Sequence, residues 1–252
     1  NLDLIDNLDL YNINTISGPH PSGNVGVQIH HINPILSKDD IRWYLDVNAL
    51  IDFGYFVDKK SYHPYKTISV CGEDVANSNY RKIIKNQSLN NILDLDNTQM
   101  NNNRIIAGDM LSGIERDLND GIGYYSDMVT IISSDESREF LGWISPGINK
   151  YSLSNTFLSK LSGKLTLKIN SRLNGDPRSI ISFGRWEKVL PMDIMPEELV
   201  KSILIEDLEE MENLGIYECS EEDFALCSYV CQSKIEVSQI IKKGLEIAAL
   251  DM

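Results

Sequence analysis

The sequence predicts a mixed α/β protein, and three observations carry that prediction. Segments rich in β-branched residues, such as 66–72 (KTISVCG) and 104–108 (RIIAG), occupy the first two-thirds of the chain. Roughly the last sixty residues instead space their apolar side chains at helical period. Clusters of Gly, Pro and Asn punctuate the pattern between these segments.

Taken in order, 25–32 (VGVQIHHI) reads as a strand after the loop 17–24 (SGPHPSGN). Residues 43–53 (WYLDVNALIDF) have the apolar spacing of a helix ended by Gly54, and YHPY at 62–65 is a Pro-bearing link. A strand, a helix and a link suggest the tail of an α/β domain of Rossmann-like type, assigned to residues 1–65, whose beginning is missing. From 66 the strand KTISVCG, a short helix at 89–95 capped by Ser88, an Asn-rich loop at 97–103 and the strand RIIAG make a β–α–β unit. That unit suits a β-grasp module at 66–115. Residues 116–176 read as β-hairpins, with 127–132 (DMVTII) meeting 138–144 (REFLGWI) and 164–169 (KLTLKI) running to the turn at 174–177. The remainder, 177–252, is helical: one helix ends at Gly215, another starts behind Ser220 as N-cap, and 233–252 is amphipathic.

Composition narrows the function classes. With 23 Lys and Arg against 37 Asp and Glu, the formal charge is −14 and the pI about 4.7. No basic stripe exists to displace counterions from phosphates, which argues against nucleic acid. No apolar run approaches the roughly 20 residues that span a bilayer, and the polar start NLDLIDNLDLYN is no signal peptide. Four cysteines in a chain of this size do not make a disulfide scaffold, so a reducing, cytoplasmic setting is expected.

Two stretches raise iron–sulfur chemistry. A cubane cluster needs four thiolates, commonly as C-x2-C-x2-C-x3-C-P. Extending that register back from Cys231 and Cys227 places Phe224 and Glu221 at the other two ligand positions. In a second run, ending at Leu190-Pro191, the four positions are Ile180, Phe183, Trp186 and Leu190. Two thiolates out of eight positions hold no cluster, and bulky side chains are expected to fill its volume, because a void that size costs several kcal/mol. The loop 17–26 (SGPHPSGNVG) invites an anion-binding reading, but it lacks the G-x-G-x-x-G order and a strand is expected after it. No nucleophile with an adjacent base and no zinc spacing is evident.

SGPHPSGNVG (17–26), REFLGWISPGINKYSLSNTFLS (138–159), VLPMDIMPEEL (189–199) and EEDFALCSYVC (221–231) together resemble the A-subunit family of the sodium-pumping NADH:quinone oxidoreductases. The chain departs from that family's pattern at VQIHH (27–31) and CQSK (231–234). The middle, 67–113, is similar to the soluble-ligand-binding (SLBB) β-grasp of related respiratory complexes. The resemblance implies a degenerate, cluster-less ferredoxin-like domain at 177–252. It also implies a peripheral subunit on the cytoplasmic face of the bacterial inner membrane, with no cofactor of its own, docked chiefly on the membrane-embedded B-subunit. FAD, FMN, riboflavin and iron–sulfur would then reside in other subunits, and ubiquinone would be the substrate of the whole. Gly18, His20 and His30 are the candidate quinone contacts, and no metal ligand or catalytic residue is assigned. A different class, an iron–sulfur electron carrier of the Rnf type, is the alternative.

Overall fold

In the computed structural model the described residues are 12–72, 75, 78–93, 103–134, 140–142, 144–148, 150–151, 156–162, 172–173 and 175–250. They make seven α-helices and five strands: α1 (Val25–Ile32), α2 (Val47–Lys59), β1 (Tyr65–Gly72), β2 (Asn79–Ile84), α3 (Leu89–Ile92), β3 (Asn103–Ala107), β4 (Ile114–Glu115), β5 (Met128–Ser133), α4 (Pro196–Leu204), α5 (Leu208–Asn213), α6 (Ala225–Val230) and α7 (Val237–Leu250). The mixed α/β class is therefore observed. The contacts group the chain into two compact units, one of residues 1–42, 184–226 and 238–252, the other of 43–183 and 227–237.

The second unit holds a five-stranded sheet in the order β2-β1-β5-β3-β4. β1 and β5 are parallel neighbours at its centre, whereas β1–β2, β3–β5 and β3–β4 are antiparallel. Alternation along β1 buries Lys66, Ile68 and Val70 on one face, as period-two geometry requires. Ile68 and Val70 join Ile83, Leu89, Ile92, Ile105, Ile122, Val129 and Ile131 in the core. Gly72, at φ +133°, leaves no room for a side chain because its Cβ would overlap the Ile131 backbone of β5.

The strand at 128–133 exists, but among the described residues it forms no hairpin with 138–144. β5 pairs with β1 and β3, and residues 140–142 and 144 lie in turns. Central position explains it: β5, buried at four of its six residues, needs a ladder on both sides. The segment 164–169 and Asn174 lie outside the described residues, as does Trp143. Helix α3 is one turn long. Ser88 is its N-cap, but its hydroxyl donates to the Leu118 carbonyl at 2.7 Å rather than capping the helix.

Three helix boundaries differ from expectation. Asp46 caps α2 by accepting from Ala49 N–H at 2.6 Å, so the helix starts four residues late, passes through Gly54 and ends at Lys60 in the left-handed region (φ 52°). The helix expected to end at Gly215 is broken in two at Glu206 (φ 59°), giving α4 and α5. The one expected behind Ser220 begins only at Ala225, after a turn in which Asp223 N–H bonds the Ser220 carbonyl.

The largest revision concerns 25–32, which is helix α1 rather than a strand. Turns at Pro19–Asn24 lead into it, with Ser22 N–H on the Pro19 carbonyl and Asn24 N–H on that of Pro21. In this first unit Val27, Trp186, Leu190, Leu199, Ile203, Met211, Ile216, Phe224 and Ile241 are buried. Helix α7 lays Ile241, Gly244 and Ala248 on its buried side, and a Cβ at Gly244 would come within 2.7 Å of Ile203 Cδ1. Close helix approach explains that glycine.

Candidate functional site

Of the residues nominated from sequence, His30 lies on helix α1, beside His31. Because a helix turns about 100° per residue, His30 and His31 sit side by side instead of on opposite faces. His30 Nε2 accepts the Asp193 N–H at 3.1 Å, and Nδ1 lies 2.8 Å from Glu218 Oε2. Glu218 Oε1 in turn accepts from Ile35 N–H at 3.1 Å. His31 Nε2 lies 2.9 Å from the Pro191 carbonyl. His30 Nε2 thus braces α1, with Nδ1 set against the Glu218 carboxylate. Gly18 and His20 stand on the exposed loop before the helix, where a Cβ at Gly18 would press on Ser22 Oγ.

A glycine-bearing loop followed by a helix is the arrangement that binds anions, and the structure supplies the helix that the sequence reading lacked. The chain fills this position itself. Asp223, 1% exposed, sets its carboxylate against the first turn of α1, where a Cβ at Gly26 would overlap it. Burial pushes the Asp223 carboxyl up from the ordinary carboxylate range, opposed by Asn24 and by the Ser220 and Val27 backbone. Burial, reinforced by the charges of Asp223 and Glu218, also pushes the Cys219 thiol far up, which makes it inert.

The degenerate ligand positions are uneven. Trp186 and Leu190 are buried (5% and 4% exposed), but Ile180 is half-buried and Phe183 is 54% exposed, so only part of that run fills interior space. Phe224, Cys227 and Cys231 are buried, Glu221 is exposed, and neither cysteine forms a disulfide. Among the described residues no group of three or more His, Cys, Asp or Glu side chains could hold a metal.

A second polar cluster was not anticipated from sequence. In the second unit a cleft of about 200 Å³ opens between α2 and the sheet, lined by Asp46, Asp52, His63, Lys66, Lys82 and Tyr124 among others. Asp52 is held by Lys85, by His63 Nδ1 at 2.9 Å and by the Tyr124 hydroxyl at 3.4 Å. Burial raises its carboxyl, but the hydrogen bonds and charges of Lys85 and His63 outweigh this and hold it below the ordinary range. Lys66, 5% exposed at its side chain, pairs with Asp127 at 2.7 Å, and Asn48 of α2 donates to the same carboxylate at 2.7 Å. The Lys82 ammonium lies 4.6 Å from the Tyr65 ring centroid. Lysines and carboxylates alternate here, so the cleft suits hydrogen bonding to a small polar group and has no strong charge preference. The available signal was Lys66: a lysine in register with Ile68 and Val70 has to be paired.

Fold and sites together define a mixed α/β protein with an internally braced polar cluster in each of its two units. Comparison with known proteins agrees. Residues 4–61 match the family described as "NqrA second alpha/beta domain". The chain is 34% identical over 243 residues to the A-subunit of the Na(+)-translocating NADH-quinone reductase of Pasteurella multocida (strain Pm70), covering 96% of this chain and 53% of that protein. It is 31% identical over 232 residues to the corresponding protein of Rhodopirellula baltica (92% and 51%), and 33% identical over 252 residues to that of Histophilus somni (strain 2336) (96% and 54%). Along the stretch it covers, the chain belongs to the A-subunit family of the Na(+)-translocating NADH-quinone reductases. It spans about half the length of these curated relatives.

Proposed function

We propose that the chain is part of a peripheral subunit of a respiratory sodium pump, in which NADH oxidation and ubiquinone reduction drive Na+ transport. The observation that carries this is similarity to the A-subunit family along 96% of the chain. Among the described residues no helix is long and apolar enough to cross a membrane, which fits a peripheral place on the cytoplasmic face beside the membrane-embedded B-subunit. Redox chemistry would belong to FAD, FMN, riboflavin and iron–sulfur in other subunits. Two cysteines at eight cluster positions support a cluster-free role for this chain and speak against the Rnf-type alternative.

The finer fold reading has support of its own. The α/β family match over 4–61 supports a Rossmann-like assignment for 1–65. A sheet whose first and last strands run parallel at the centre supports a β-grasp of SLBB type built on 66–115, with β5 completing it. A cluster-less ferredoxin-like origin for 177–252 rests on the ligand register alone.

Within the subunit, the exposed Gly18–His20 loop is the part free to meet a quinone carbonyl, and His30 holds the helix behind it. Photo-crosslinking of the full-length subunit with a quinone analogue tests this. Labelling should decrease in His20→Ala and be unchanged by a substitution at exposed Tyr80; equal labelling of all variants overturns the loop's role. Anaerobic reconstitution followed by iron and sulfide assay should give no stoichiometric iron, and a cluster spectrum would reject the cluster-free reading.

A further inference from the structure

Helix α2 docks with the wrong face for an isolated unit. Asn48, Ala49, Asp52 and Tyr55 turn toward the rest of the unit, half-buried, and none of the helix's residues is buried. Val47, Leu50, Phe53 and Val57 point to solvent at 73, 58, 62 and 51% exposure. Amphipathic helices ordinarily bury such a stripe, and a contiguous exposed one marks an interface. Gly54 lies in the middle of the stripe, and a Cβ there would meet nothing within 4 Å. A glycine disfavours the helix interior, and no neighbour among the described residues requires one there. Its position suits a partner whose surface comes close to the α2 backbone.

The stretch 4–61 belongs to an α/β domain, yet its described residues, 12–61, contain two helices and no strand. Helices of such domains lie on a largely parallel sheet whose strands are apolar on both faces. The relatives run to about twice the length covered here, ample for that sheet. We propose that the Val47–Leu50–Phe53–Val57 face of α2 is the seat of that sheet, carried by the part of the full-length polypeptide that this chain does not span. This rests on the family assignment, and on the proposed function only in that the subunit is the one named.

The test sets the 252-residue chain beside the full-length subunit. Leu50→Cys and Val57→Cys are placed in each, and maleimide labelling is read above the native-cysteine background. Labelling should be rapid in the shorter chain and at least about tenfold slower in the isolated full-length protein, as for a site exposed only by local opening. Equal rates in both overturn the proposal. Protection of the shorter chain that grows with its concentration assigns the face to a second copy, and protection only in the assembled complex assigns it to another subunit; either also overturns it. Co-purification with the membrane subunits separately reads the functional assignment, so the two can fail independently.

Discussion

Helices α7 and α2 are of similar length, 14 and 13 residues, and each carries a glycine in an apolar stripe, but their surroundings are opposite. In α7 the stripe is inside: Ile241, Gly244 and Ala248 are buried, and Gly244 is required by the approach of Ile203. In α2 the stripe is outside, and Gly54 faces open space. The first helix is held by apolar packing, the second by the Asp52 and Asn48 networks on its polar side. Amphipathic pattern fixes which side of a helix is apolar. What covers that side depends on which other parts of the polypeptide are present.

Truncation in the two helices' settings should separate them most. Ile203→Ala should destabilise the first unit by about 2–5 kcal/mol through loss of buried methylenes and the cavity left behind. Phe53→Ala, removing an exposed ring, should stay within about 0.5 kcal/mol in this chain. Denaturant unfolding with hydrogen exchange to resolve the units checks both, and a large loss at Phe53 would show α2 already covered.

The glycines give a smaller pair of opposite sign. Gly244→Ala should cost about 1–3 kcal/mol by overpacking against Ile203. Gly54→Ala should instead add about 0.5–1 kcal/mol, because alanine favours the helix and meets nothing. If both destabilise, the open space at Gly54 is not real in solution.

Two aspartates extend the contrast to pH. Asp52 has a depressed carboxyl, so its contribution is fully present above the ordinary value near 3.8 and is lost as pH falls through the lower folded one. Asp52→Asn should remove that acid-side loss from the pH–stability profile of the second unit. Asp223 has a raised carboxyl, so its ionised form costs stability at neutral pH. Acidification from its folded value toward the ordinary one relieves that cost and stabilises the first unit. Asp223→Asn should flatten this slope; an unchanged slope would place the effect on another group.

Much of the second unit was legible in sequence. The strands at 66–72 and 104–108 are where alternation put them, and β5 is where its β-branched run lies. β2 was missed because NYRKII shows one buried position, Ile83, and so little alternation. Helix α1 was misread because VGVQIHHI is rich in β-branched residues, whose strand preference is weak against tertiary contacts. Asp223 at the helix start and the Pro191, Asp193 and Glu218 partners of the histidines lie some 160 to 200 positions away in sequence, beyond any local pattern. The Asp52–His63–Lys85–Tyr124 cluster was invisible for the same reason, although Lys66 on a buried register pointed to it.

The sequence by itself determined the mixed class, the central strands, the acidic balance, the lack of cluster ligands and, through its motifs, the family. These are properties of local pattern and residue identity, which need no partner to be read. Tertiary structure alone decided that 25–32 is a helix, that β5 sits between β1 and β3, that His30 braces α1 and that α2 turns its apolar stripe outward. Each of those outcomes depends on hydrogen bonds, charges or packing between groups distant along the chain, and such free energies exceed the small local preferences that sequence patterns report.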